Sequence, residues 1–114
     1  MAKPGDYNFY IDVALKPGAD IEKVYESEHV LAFHHTKPYY EKHVVVIPKK
    51  HVHDLRHLED DSILLELLQV ARDILKSIPE SFIEEEGAQL ATNFGANQDS
   101  PHLHFYVVAG KKLR

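Results

Sequence analysis

The chain has no cysteine among its 114 residues. Disulfides, thiolate metal sites and a cysteine nucleophile are excluded, and a reducing compartment is compatible with that absence. Its first residues, Met-Ala-Lys-Pro-Gly-Asp, contain no apolar run of signal-peptide length, and no segment approaches the length of a bilayer span. An excess of basic charge is also missing. The formal net charge is −5 with nine histidines counted neutral, which argues against a general nucleic-acid-binding surface. Repeats, low-complexity tracts and linkers are absent. The expectation is one cytoplasmic domain spanning 1–114, with no nucleic-acid or membrane partner. Hydrophobic residues make up 44% and charged residues 27%, enough for a modest single core.

What the chain does have is a clear helical stripe and several short β candidates. From about Glu59 to Ile78, Leu64, Leu67, Leu68, Ala71, Leu75 and Ile78 recur with a helical period. Glu59, Asp60 and Asp61 suit the positive end of the helix dipole, and Pro79 stops it. Ile63, Leu65, Val70 and Ile74 are further apolar residues beyond that stripe. Strands are expected over 22–26 and 29–35, joined by a turn at Ser27-Glu28, and over 43–47, closed by Pro48. Further strands are expected over 88–94 and 102–109. Residues 7–15 alternate as a strand but follow Asp6, a fair helix N-cap. The acidic run Glu84–Glu86 before Gly87 reads as a solvated turn. This order predicts an α+β domain, a mostly antiparallel five-stranded sheet covered by one long helix.

The chemistry concentrates in 93–110. Pro101 fits a strand entrance, and His102, His104 and Tyr106 then fall at every second position, so they share a face. Leu103, Phe105 and Val107 take the core face. A loop carrying Asn93, Gln98, Asp99 and Ser100 precedes them. An imidazole on a rigid strand serves as a nucleophile if one ring nitrogen is free and the other is held by an acceptor. Neighbouring imidazoles also attract phosphate. The same spacing fits a solvated polar face, or half of a metal site completed by a carboxylate such as Asp99.

The run His102-Leu103-His104-Phe105-Tyr106-Val107-Val108 resembles the signature of the histidine-triad (HIT) family, with Tyr106 in the third histidine position. Leu31-Ala32-Phe33-His34, His43-Val-Val-Val-Ile-Pro48-Lys49-Lys50-His51 and Asp6-Tyr-Asn-Phe9 resemble its other blocks. The likeness runs from about Asp6 to Leu113 and is closest to the nucleoside-phosphoramidase branch. It implies a short N-terminal helix at 7–15. It also implies a homodimer and a nucleotide hydrolase or transferase acting on an α-phosphate through a nucleotidyl–histidine intermediate, with no cofactor or metal. On this resemblance His104 is the nucleophile, with Nδ1 donating to a backbone carbonyl and Nε2 free. His102 steadies it and His43 supports it from behind. Gln98 and Ser100 hold phosphate oxygens, Asn93 faces the sugar, and Phe9 and Phe33 wall the nucleoside pocket. The reading requires Nε2 of His104 to open into a cavity large enough for a mononucleotide.

Three positions depart from the family pattern. Tyr106 donates a hydrogen bond but, with a phenol pKa of about 10, supplies no cation near neutrality. His35 stands where the family often has a ribose-binding aspartate. Asp99 stands where the branch has a serine that assists the leaving group. The alternative these departures favour is a weakly active or inactive nucleotide-binding module on the same fold.

Overall fold

In the computed structural model, the described residues are Tyr10 and 14–114. The expectation of a short helix at 7–15 and the placement of Phe9 therefore lie almost wholly outside them. Within that stretch, the Leu15 N–H donates to the Tyr10 carbonyl at 2.9 Å.

Five strands form one antiparallel sheet: β1 (Lys23–Glu26), β2 (Val30–His34), β3 (Tyr40–Pro48), β4 (Ala88–Thr92) and β5 (Phe105–Lys112). Their spatial order is β1-β2-β3-β5-β4, which makes the β-branched run Val44–Ile47 the centre. The turn between β1 and β2 is closed by Ser27, whose N–H donates to Val30 O at 2.9 Å and whose hydroxyl accepts from Val30 N at 3.1 Å. β3 is longer than the run 43–47, because the hairpin residue Tyr40 pairs with Lys112. β5 starts later than expected. Its pairing with β3 begins at Phe105↔Val46, and the preceding residues bond elsewhere: His102 N to Ser100 O at 2.8 Å and Leu103 N to Val52 O at 2.6 Å.

One long helix, α1 (Asp61–Ser77), lies across the sheet. The Asp60 side chain caps it by accepting from the Ser62 and Ile63 N–H groups. The buried stripe is Ile63, Leu67, Val70, Ala71 and Ile74, with Ile78 just beyond. This rotates the expected core stripe. Ile63, Val70 and Ile74 are core rather than spare, whereas Leu68 is exposed and Leu64 and Leu75 are half-buried. Two apolar stripes compete on this helix, and the one spaced 63-67-70-71-74-78 keeps the helical period over its whole length. A second helix, α2 (Glu80–Glu86), replaces the expected turn at 84–86. Its acidic end is solvated as expected but helical, anchored by half-buried Phe82 and Ile83. Among the described residues, no helix is long and apolar enough to cross a membrane.

The period-2 alternation of the strands divides the core between two faces. Val30, Ala32, Val44, Val46, Leu103, Phe105 and Val107 pack beneath α1. Leu31, Phe33, Val45 and Ile47 pack on the opposite face with Tyr10 and Ala14, and Tyr106 lies against them. Extending the same parity places His35 beside Phe33, His43 beside Val45 and His104 beside Tyr106. The chemistry-bearing residues therefore share the sheet face that α1 does not cover.

Candidate active site

His104 is 1% exposed. Its Nδ1 lies 2.9 Å from the His102 carbonyl oxygen. A carbonyl only accepts, so Nδ1 carries the proton and Nε2 carries the lone pair. Nε2 is buried with no hydrogen-bond partner among the described residues. Burial lowers the imidazole pKa, opposed by the bond to the His102 carbonyl and by the charge of Asp99. The ring is held neutral, with its nucleophilic nitrogen uncommitted. The His104 carbonyl is fixed in turn by the Thr92 hydroxyl of β4, at 2.6 Å.

His102 is buried behind it. Its Nε2 donates to the Pro48 carbonyl at 2.9 Å, and its Nδ1 faces Nδ1 of His51 at 3.1 Å. Burial pushes its pKa down to about 4. His43 is buried too, with its pKa pushed to about 4 by the same cause. Nδ1 of His43 accepts from the Tyr39 N–H at 3.1 Å, and its buried Nε2 has no partner among the described residues. The rings of His35 and His43 are 4.4 Å apart, and those of His43 and Tyr106 4.7 Å apart and near perpendicular. Tyr106 lies 4.6 Å from His104. Burial raises the Tyr106 phenol pKa above its ordinary value. His104, His102, Tyr106, His43 and His35 thus form one continuous aromatic and imidazole cluster, and Phe33 is buried on the same face.

The 93–100 loop is placed less uniformly. Gln98 is buried and donates from Nε2 to the His53 carbonyl at 2.7 Å, clipping this loop to the segment after β3. Its Oε1 has no partner among the described residues. Ser100 is buried, Asn93 is half-buried just past β4, and Asp99 is exposed. The charge of Asp99 reaches the cluster, favouring protonated His104 and opposing ionisation of Tyr106.

Two expectations need correction. Nε2 of His104 does not open into a cavity. Tyr10 is 4% exposed, and its ring covers the site at 5.3 Å from His104 and 5.7 Å from His102. A cavity of about 360 Å³ does reach His35 and His43, but from the β2–β3 hairpin end. The metal reading of His102, His104 and Asp99 also lacks geometry. Both nitrogens of His102 are committed, and among the described residues no group of three His, Asp or Glu side chains is arranged to hold a metal ion.

Sequence reasoning missed Tyr10 and His51. Tyr10 belongs to an ambiguous segment and carries no motif of its own. His51 follows the Pro48 turn and carries no motif role. Its contact with His102 spans a separation that strand periodicity does not encode. His29, His51, His53 and His57 line a separate cavity of about 630 Å³. His34 is exposed beside Glu22 at 3.2 Å.

The HIT domain pattern matches residues 16–113 of this chain. The chain belongs to the HIT family. An uncharacterized HIT-like protein from Azospirillum brasilense is 34% identical, over 99% of this chain and 94% of its own length. Among solved structures, a histidine triad protein from Clostridium difficile is 30% identical and superposes with a TM-score of 0.75, covering 100% of this chain and 97% of that one. A protein described as a HIT family hydrolase from Clostridium thermocellum is 26% identical with a TM-score of 0.70, over 93% of this chain and 90% of its own. The α+β HIT fold, with its five-stranded antiparallel sheet and two helices, is shared with these neighbours.

Proposed function

We propose that this protein is a nucleotide hydrolase or transferase that acts on the α-phosphate of a nucleoside phosphoramidate or dinucleotide. The observation that carries this reading is the fixed tautomer of His104, with the Nδ1 proton bound to the His102 carbonyl and the Nε2 lone pair unpartnered among the described residues. In the first step that lone pair attacks phosphorus. A P–N bond forms to His104, and the bond to the leaving group breaks, its electron pair departing with an amine that takes a proton from solvent or with the phosphate of the second nucleotide. In the second step water attacks phosphorus, the P–N bond breaks, and the imidazole returns neutral as the water proton passes to solvent. The bond from Nδ1 to the carbonyl stabilises the positive charge that the ring carries while phosphorylated. Tyr106, 4.6 Å away, supplies a hydroxyl donor for a phosphate oxygen. No metal or cofactor takes part in this scheme.

The experiment is intact-protein mass spectrometry after mixing with a nucleoside 5′-phosphoramidate. A nucleotidyl adduct is expected in the wild type and not in His104→Ala. Turnover unchanged by that substitution overturns the reading.

The covered state of His104 favours a second reading, a nucleotide-binding module with little catalysis. It expects nucleoside monophosphates to raise the melting temperature while no hydrolysis is detected. A cytoplasmic homodimer belongs to the same proposal. Exposed Leu65 and Leu68 on α1 and Leu90 on the edge strand β4 support self-association, and light scattering of the eluted protein measures its mass.

A further inference from the structure

We infer that Thr92 is a positioning residue for the His104 imidazole: its hydroxyl stands in for a missing sheet rung and so holds the backbone that fixes which ring nitrogen carries the proton. The consequence for turnover rests on the hydrolase reading, whereas the consequence for the tautomer does not.

Three observations converge. The sheet ladder stops short of the nucleophile. Phe105 is the first residue of β5, and pairing ends there on both sides, with Val46 of β3 and Thr92 of β4. His104 therefore lies one residue outside the sheet. Second, the Thr92 side chain reaches past its own cross-strand partner and donates to the His104 carbonyl at 2.6 Å. β4 ends at Thr92, so a side-chain hydroxyl continues the ladder where the strand itself stops, and the carbonyl keeps a donor. Third, Nδ1 of His104 bonds the carbonyl of His102, two residues back in the same chain, at 2.9 Å. A ring-to-backbone bond this local closes only over a narrow range of the dihedrals between the two residues.

These bonds act in series. His102 is tied by its ring to the Pro48 carbonyl at 2.9 Å, and the Leu103 N–H is tied to the Val52 carbonyl at 2.6 Å. Both ties precede the His104 side chain. Thr92 holds the peptide that follows it. The imidazole is then anchored from both directions, with the proton kept on Nδ1 and the lone pair on Nε2. Without the hydroxyl, the carbonyl turns to find another donor, the Nδ1 bond loosens, and either nitrogen can carry the proton. A ring protonated at Nε2 has no lone pair there to aim at phosphorus. The hydroxyl acts on the carbonyl and not on the ring, so its effect passes through geometry.

The competing account is that this bond only finishes a strand end. The two accounts differ over Thr92→Val, which keeps the branched shape and strand preference of threonine and lacks the donor. The test compares wild type, Thr92→Val and Thr92→Ser by steady-state kinetics on a nucleoside 5′-phosphoramidate, ring-nitrogen NMR of His104 and thermal melting. In Thr92→Val, kcat is expected to fall roughly tenfold, the weight of one hydrogen bond carried into the barrier. KM is expected to stay unchanged and the His104 ring to become a mixture of tautomers. Thr92→Ser restores the hydroxyl and is expected to restore both kcat and the single tautomer. Wild-type kcat with Nδ1 fully protonated in Thr92→Val overturns the inference, whatever the melting temperature, and so does a loss that serine fails to recover. A fall in kcat with the tautomer intact overturns the link through the ring proton. If Thr92→Val does not fold, Thr92→Ala removes the donor without adding a contact and takes its place. If the wild type neither turns over the phosphoramidate nor forms an adduct with it, the hydrolase reading fails, and the NMR comparison alone decides the role of Thr92.

Discussion

The Nδ1 atoms of His51 and His102 stand 3.1 Å apart, and only one of them carries the proton. His102 has its proton on Nε2, because that nitrogen faces the Pro48 carbonyl, and burial keeps the ring neutral. Its Nδ1 is therefore the acceptor, and His51 must donate. The residue after the Pro48-Lys49-Lys50 turn thus fixes the ring whose carbonyl fixes His104. The ordering passes from loop to triad by hydrogen bonds alone.

His51→Leu removes the donor and leaves a buried acceptor on His102. The expected loss of stability is about 1–3 kcal/mol, the usual cost of an unsatisfied buried group. The His102 pKa is expected to rise, since the charge of His51 now depresses it. Urea denaturation and histidine NMR titration read the two effects. An unmoved His102 titration contradicts the assigned contact.

Tyr106→His restores an imidazole beside His104. On the hydrolase reading it supplies a charge-assisted contact to phosphate of about 2 kcal/mol, which corresponds to a rate gain of roughly thirtyfold. Tyr106→Phe is the control, because it removes the hydroxyl donor and keeps the ring. Steady-state turnover of a nucleoside phosphoramidate is the measurement. A restored imidazole that leaves turnover flat argues that Tyr106 does not face the reacting phosphate.

Gly110 lies within β5 at a φ of +87°, and its N–H donates at 3.1 Å to the carbonyl of Gly87, the residue that follows α2. An added Cβ would meet Glu41 Oε1 at 2.8 Å and Phe82 Cζ at 2.9 Å. Glu41 cannot simply swing away, because the same oxygen accepts from the Lys111 N–H. Gly110→Ala therefore combines left-handed backbone strain with a clash, and a loss of about 2–4 kcal/mol is expected. In a domain of this size that lowers the melting temperature by about 10 °C or more. A melting temperature within a degree or two of wild type contradicts the packing described.

The parts of this site that follow from period-2 alternation were legible in the sequence. His102, His104 and Tyr106 share a face because side chains alternate, and Val44–Ile47 reads as the sheet centre because it is β-branched and unbroken. Long-range decisions were less legible. Two stripes on α1 were both apolar, and only packing against Val30, Val46 and Val107 selected the one through Ile63 and Val70. Pro79 reads equally as a helix stop and a helix start, so α2 was hidden behind an acidic run. The start of β5 is delayed because Leu103 bonds Val52 instead of the sheet, a partner 51 positions earlier. Tyr10 is the clearest case. Nothing near it in the chain marks it as a neighbour of His102 and His104, and that proximity exists only in the folded chain.

The two most displaced histidines, His43 and His102, give the fold a direction of pH dependence. Both have pKa values pushed from the ordinary 6.5 down to about 4 by burial, so the folded chain prefers them neutral. His35 and His104 shift the same way. Between these limits the unfolded chain binds protons that the folded chain refuses, so stability rises with pH across the window. This contribution is fully present above about 6.5 and is lost as pH falls toward 4. A shift of this size corresponds to at most about 3 kcal/mol per ring. The measurement is urea denaturation at pH 7.5, 6, 5 and 4.5. Stability is expected to be flat at the top of the range and to fall steeply below pH 6. His43→Phe keeps an aromatic ring that needs no proton and should flatten part of that slope. A profile independent of pH between 6.5 and 4.5 contradicts the neutral, buried state of both rings.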